Sequence, residues 1–183
     1  MCGIVGLFIK DKALEPRLGE LTAQMLATMC ERGPDSAGFA VYGDAEDGKA
    51  KLTVQSARAD QDFAGLDVAL SKAIGAPVEI ERKSSHAVLT VPADKADAAR
   101  AAIKADHPGV RIMSAGETIE IYKEVGWPTD VSDRFHLKQM SGSHAIGHTR
   151  MATESAVTTL GAHPFSTGAD QCLVHNGSLS NHN

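Results

Sequence analysis

The sequence is short of several things. Phe, Tyr and Trp make up only 4% of its 183 residues. No apolar run approaches the ~20 residues of a membrane-spanning helix, so no membrane association is expected. Basic residues are not in excess: the formal net charge is −5, which argues against a nucleic-acid partner. Cysteine is scarce, with Cys2, Cys30 and Cys172 an odd set without CxxC spacing. That excludes a disulfide-stapled miniprotein and a Cys-type zinc site, and fits a reducing cytoplasm. No internal repeat or low-complexity segment is present. The apolar stretch CGIVGLFI at 2–9 lacks the basic flank of a signal peptide. What remains is a chain that is 43% hydrophobic and 22% charged, the composition of a globular protein with a core.

Pattern predicts a buried strand at 2–9 and an amphipathic helix at 15–30, where Leu18, Leu21, Met25, Leu26 and Met29 recur at helical spacing. A turn follows at Gly33-Pro34, then strands at 37–42 and 51–55. After about residue 60 the texture changes. A helix is predicted at 62–74, a strand at 85–91 and an Ala-rich helix at 94–107. Strands at 110–114 and 117–124 meet at Ala115-Gly116. This stretch reads as a small α/β unit. Residues 126–130 read as a linker, 131–140 as a short helix, and the chain from Ser143 as strand, loop, strand, ending in QCLVHNG. It stops soon afterwards, so it is expected to be the N-terminal part of a longer domain.

Four segments carry residues suited to chemistry. The first is Cys2. Its initiator methionine is of the kind normally removed, leaving a thiol beside its own α-amino group. That amine, with a pKa of ~7.7–8.0, can accept the thiol proton and return it. The bland reading is a buried structural cysteine. The second is ERGPDSAG at 31–38, where Arg32 and Asp35 flank a shaped turn; alone it reads as a solvated turn with a local ion pair. The third is GHTRMATES at 147–155. Arg150 at a strand end suits a carboxylate, which its guanidinium grips with two donors, and Thr153 adds a hydroxyl. The bland reading is a structural salt bridge. His144 and His148 stand four apart, but no HExxH pattern surrounds them, and no metal is expected. The fourth is VHNGSLSN at 174–181. Asn176-Gly177 is a hairpin-tip signal, or else a pair of N–H donors for a developing oxyanion.

Together, in this order and with one pinned to the terminus, MCGIVG, RGPDSAG, GHTRMAT and HNGSLSN resemble the class II glutamine amidotransferases. These N-terminal nucleophile hydrolases include glucosamine-6-phosphate synthase, amidophosphoribosyltransferase, asparagine synthetase and glutamate synthase. The resemblance covers residues 1–43 and about 143–183. It implies that Cys2, freed of Met1, attacks the side-chain amide of L-glutamine. Asn176 and Gly177 stabilise the oxyanion, Arg150 and Thr153 bind the substrate, and Arg32 helps to hold the N-terminal loop. His163, in GAHPF, falls in a region close to this site. The implied fold is α+β, a four-layer αββα sandwich, incomplete at the C-terminus and interrupted at about 60–137 by the α/β insert. The family's acidic residue for the glutamine α-amino group lies beyond HNG and so beyond this sequence. The long insert and the absence of an attached synthase resemble stand-alone amidotransferase subunits of the glutamate synthase and N-methylglutamate synthase type. A synthase subunit receiving ammonia is therefore an expected partner, and no cofactor is expected on this chain. An amidophosphoribosyltransferase- or sugar-phosphate-type half and a non-catalytic scaffold that kept the fold remain as alternatives.

Overall fold

The computed structural model describes residues 1–152 and 156–177. In chain order its elements are β1 (Gly3–Phe8), α1 (Leu18–Ala27), β2 (Ser36–Tyr42), β3 (Lys49–Gln55), α2 (Ala59–Asp62), α3 (Leu66–Ile74), β4 (Glu79–Lys83), β5 (His86–Pro92), α4 (Ala96–Asp106), β6 (Arg111–Gly116), β7 (Ile119–Val125), α5 (Pro128–Arg134), β8 (His144–Arg150), β9 (Phe165–Gly168) and β10 (Gln171–Leu173). They form two units. The first comprises Met1–Ala40, Lys123–Pro164 and the described chain from Leu173 onward; the second comprises Val41–Tyr122 and Phe165–Cys172. The boundary falls within β2 and within β7.

The first unit is built on a four-stranded sheet of order β1-β8-β2-β7. The first two strands run antiparallel, with Gly3 opposite Thr149 and Phe8 opposite His144. Along β1 the alternation is clear: Val5 is buried, while Ile4 and Phe8 are exposed, as the two-residue period of a strand requires. Helix α1 covers the inner face. A Cβ placed on Gly147 would come within 2.9 Å of both Leu26 and Val5, so the strand approaches the helix as closely as a missing side chain allows. Gly19 on α1 serves the same end elsewhere. A Cβ there would lie 1.8 Å from the Leu137 carbonyl oxygen, and the Gly19 amide donates to the Met140 carbonyl at 2.9 Å. Phe39 and Phe135, both fully buried, meet edge to face at 6.4 Å.

Two predicted helices change shape here. The helix expected at 15–30 divides into a 3-10 segment (Lys12–Arg17), α1 and a second 3-10 turn (Cys30–Arg32). Pro16 sits inside the first piece, and without an N–H it cannot continue an α-helical ladder. The helix expected at 131–140 starts earlier, at Pro128, whose missing donor costs nothing in a first turn. It ends before His136, which takes a φ of 56°.

The second unit follows the order β3, α2 and α3, β4, β5, α4, β6. Its sheet has the order β4-β5-β3-β6, with its three pairings antiparallel. That is the split βαββαβ arrangement of ferredoxin-like units. Two periodicities build it. Ala50, Leu52 and Val54 on β3 and Ala87, Leu89 and Val91 on β5 alternate toward one face; Leu66, Leu70 and Ile74 on α3 and Ala99 and Ile103 on α4 recur at helical spacing and meet them. The sequence places an α/β insert at about 60–137; this unit takes in Val41–Tyr122 and Phe165–Cys172. The strands predicted at 110–114 and 117–124 divide: β6 joins this sheet and β7 joins the first. The turn between them is held by Asp170, whose carboxylate accepts from the backbone amides of Glu117, Thr118 and Ile119 at 2.8–3.0 Å and from the Thr118 hydroxyl at 2.9 Å.

The resulting architecture is mixed α/β with antiparallel sheets, which accords with the α+β expectation at that level.

Candidate functional site

Cys2, Arg150 and Asn176 lie around one end of β8, in the first unit. Cys2 precedes β1, and because Gly3 pairs with Thr149, the register brings Cys2 beside Arg150. The Cys2 thiol is partly exposed and lies 4.0 Å from the Met151 carbonyl oxygen. Met1 is present, its ammonium 2.9 Å from the Met151 sulfur, so here the Cys2 nitrogen is a peptide amide. Asn176, 174 positions along the chain, donates from its side-chain amide to the Cys2 carbonyl at 3.3 Å. Gly177 has a φ of 141°, a conformation open to glycine and strained for other residues.

Arg150 ends β8. Its guanidinium donates to the Ala156 carbonyl at 3.3 Å and lies against Gly161, where an added Cβ would stand 3.3 Å from it. Thr153 lies outside the described residues. Arg32 is exposed in the 3-10 turn before Gly33.

The turn that follows Arg32 is a buttress and not a solvated loop with an Arg32–Asp35 pair. A Cβ on Gly33 would stand 2.4–2.6 Å from backbone atoms of Thr149 and Arg150. Pro34 bridges to Arg150. The Asp35 amide donates to the Arg150 carbonyl at 3.1 Å, and the Asp35 carboxylate accepts from the Ala152 amide at 2.7 Å. The Thr149 hydroxyl donates to the Met29 carbonyl at 3.1 Å. Sequence reading did not find this role for Asp35, since its partner lies 117 positions away.

Histidines back the site. His148, fully buried on β8, bonds through Nε2 to the His175 carbonyl at 2.9 Å. Because the acceptor is a carbonyl, Nε2 carries the proton. The ring lies 4.2 Å from that of His163 at 30°, and His163 lies 6.4 Å from His175. Burial pushes His148 down to about 4, and the charge of Arg150 works in the same direction; His163 is held at about 3, again chiefly by burial, with His148 and Lys123 adding to it. Both imidazoles are therefore neutral near pH 7. Lys123, also buried, donates to the carbonyls of Leu160 and Ala162 at 3.3 and 2.8 Å, and burial lowers it to about 8. It secures the segment that leads to His163. Glu124 bonds the Thr159 hydroxyl from the same strand end. No group of three or more His, Cys, Asp or Glu side chains suited to a metal ion occurs among the described residues. His144, the other member of the spaced pair, lies beside Phe8, with ring centroids 5.9 Å apart and planes tilted by 41°.

No helix among the described residues is long and apolar enough to cross a membrane. A cavity of about 260 Å³ in the second unit, bordered by Arg58, Asp62, Leu66 and His107, contains none of the predicted residues.

No family model matches the chain. Along its whole length it is 63% identical to the glutamine amidotransferase-like protein GlxB of Rhizobium meliloti (strain 1021), of which it covers 60%. It is 32% identical to a protein of Methanothermobacter thermautotrophicus with the provisional name glutamine amidotransferase, of which it covers 63%. Over 77 residues, 42% of the chain, it is 31% identical to a glutamine–fructose-6-phosphate aminotransferase of Idiomarina loihiensis, of which that stretch is 13%. The chain thus spans about three-fifths of the two relatives it matches from end to end.

Proposed function

Starting from a chain whose entire length is homologous to glutamine amidotransferase-like proteins, we propose that it carries the glutaminase half of a class II amidotransferase. The observation that supports this best is the meeting of Cys2, Arg150 and Asn176, from both ends of the chain, at one strand end.

In this reading Met1 is removed. The Cys2 thiol then loses its proton to its own α-amino group, and the sulfur attacks the side-chain carbonyl carbon of glutamine. The carbonyl π electrons move to oxygen, where the Asn176 amide and the Gly177 backbone N–H receive the charge. Each such donor is worth roughly 10²–10³ in rate. Collapse expels the nitrogen as ammonia, protonated by the α-ammonium group, and leaves a glutamyl thioester that water hydrolyses. Arg150 takes the substrate α-carboxylate through paired N–H donors, with Thr153 beside it, and Arg32 helps to hold the N-terminal loop. Neither metal nor cofactor is required of this chain.

The sheet β1-β8-β2-β7 with α1 against it serves as one half of a four-layer αββα sandwich; exposed Ile4 and Phe8 on β1 are consistent with a further layer. The βαββαβ second unit contains most of the insert. Ammonia passes to a synthase subunit of the glutamate or N-methylglutamate synthase type, in the cytoplasm. The match to the sugar-phosphate enzyme covers 13% of that protein, too little to carry the acceptor across.

Intact mass before and after 6-diazo-5-oxonorleucine, which alkylates such cysteines, tests the reading. The expected result is loss of Met1 and one adduct, absent in Cys2→Ala. Glutamine hydrolysis by Cys2→Ala at the parent rate would overturn it.

A further inference from the structure

We propose that His148 is the positioning residue of the oxyanion donors: its imidazole ties β8 to the peptide that carries Asn176 and Gly177. This rests on the glutaminase reading and extends it to a residue that touches no substrate.

Four observations carry the inference. First, the contact is directional. Nε2–H of His148 points to the carbonyl of His175, the residue immediately before Asn176. Second, the ring has little freedom. It is fully buried and stacked on His163 at 4.2 Å, so the donor direction is fixed. Third, the ring is wired at one end only. Nδ1 has no hydrogen-bond partner among the described residues. Fourth, the contacts close a circuit. His148 pairs with Ile4 on β1, β1 leads to Cys2, Asn176 bonds the Cys2 carbonyl, and His175 returns to His148. Nucleophile and oxyanion donors are thus both referred to the same strand pair. The depressed basicity of His148 fits the role, because a neutral ring keeps this tautomer through the working pH range.

The test compares three variants of the whole protein. His148→Phe keeps the ring and the stack but removes the donor. His148→Gln puts an amide N–H near the place of Nε2. His148→Asn puts one near Nδ1, too short to reach, and replaces the Phe variant if that one fails to fold. Backbone order of residues 174–177, read as 15N relaxation order parameters, is the first readout. It is expected to fall below about 0.6 in the Phe and Asn variants and to stay near the parent value in Gln, with residues 86–92 unchanged in all three. The second readout is steady-state glutamine hydrolysis. A fall of about 30-fold or more in kcat with KM within about threefold is expected for Phe and Asn, with substantial recovery in Gln, as for loss of transition-state donors without loss of ground-state binding. Unchanged order parameters at 174–177 in the Phe or Asn variant would overturn the proposal, whatever the activity. An inactive parent protein would overturn the glutaminase reading and leave the order-parameter comparison to decide the tether.

Discussion

The two units spend their polar groups differently. In the second, polar side chains close turns: Asp170, 51 to 53 positions away in sequence, fills the β6–β7 turn with four donors on one carboxylate, and Ser56 meets Asp62 and the Arg58 amide close by. Its hydrophobic cluster is largely aliphatic, drawn from α3, α4, β3 and β5 with Phe63 among them. In the first, buried or half-buried polar groups gather at one strand end, where His148, Thr149, Arg150 and Asp35 bind segments 27 to 120 positions away. The lesson is that regular patterning builds a scaffold, while a site is recognised by polar groups brought from remote positions and buried with few partners.

Substitutions can break or sharpen that contrast. The largest effect is expected from Gly19→Ala in the first unit. Its Cβ would meet backbone at 1.8 Å, so something rigid must move, and a loss above about 4 kcal/mol by urea unfolding is expected. The same change at Gly48 in the second unit meets nothing within 4 Å at a φ of 71° and should cost only about 1 kcal/mol. Next is Ile103→Ala, which empties a fully buried site among aliphatic neighbours and should cost about 3 kcal/mol. Acid comes third and selects the first unit. His148 and His163 have folded values of about 4 and 3, below the unfolded ~6.5. The unfolded chain therefore binds more protons between these limits, and stability falls as pH drops from about 6.5 toward 4. Amide exchange of 144–150 against 86–92 across that range checks it. Asp170→Asn should follow at about 2 kcal/mol, from the loss of charge-assisted bonds. Because its carboxylate is held below the ordinary range by those backbone donors, against a burial that opposes them, that stability is present above pH ~3.9 and fades below it. The smallest effect belongs to Lys49→Ala, which breaks an exposed pair with Glu79 and should stay within about 0.5 kcal/mol.

The second unit was legible in the sequence wherever one period dominated. The helix predicted at 94–107 and the strand at 85–91 match α4 and β5 closely. β4, EIERK, escaped notice because it carries one apolar residue in five and so has no alternation to read. QCLVHNG is strand only at Gln171–Leu173, since its tail is drawn to Cys2 and His148 by contacts no local pattern encodes. The same applies to the site. Cys2, Arg150 and Asn176 could be picked out by residue type and motif order, whereas Asp35 read as half of a local ion pair and His148 as a spacing to be discounted for metal. Their partners are Ala152 and His175, and only the three-dimensional path of the chain brings them together.

One detail of the second unit bears on how such a chain arises. The Gly43 amide bonds the Thr118 carbonyl at 3.1 Å, directly between the end of β2 and the start of β7, which are neighbours in their sheet. Residues 44–117 leave and rejoin that sheet at this one point. An ancestor with a plain hairpin at this place could gain the whole βαββαβ cassette in one recombination event without shifting the register of a single strand around it. For a protein engineer it is equally a graft point, where a foreign domain with closely spaced ends can be spliced in.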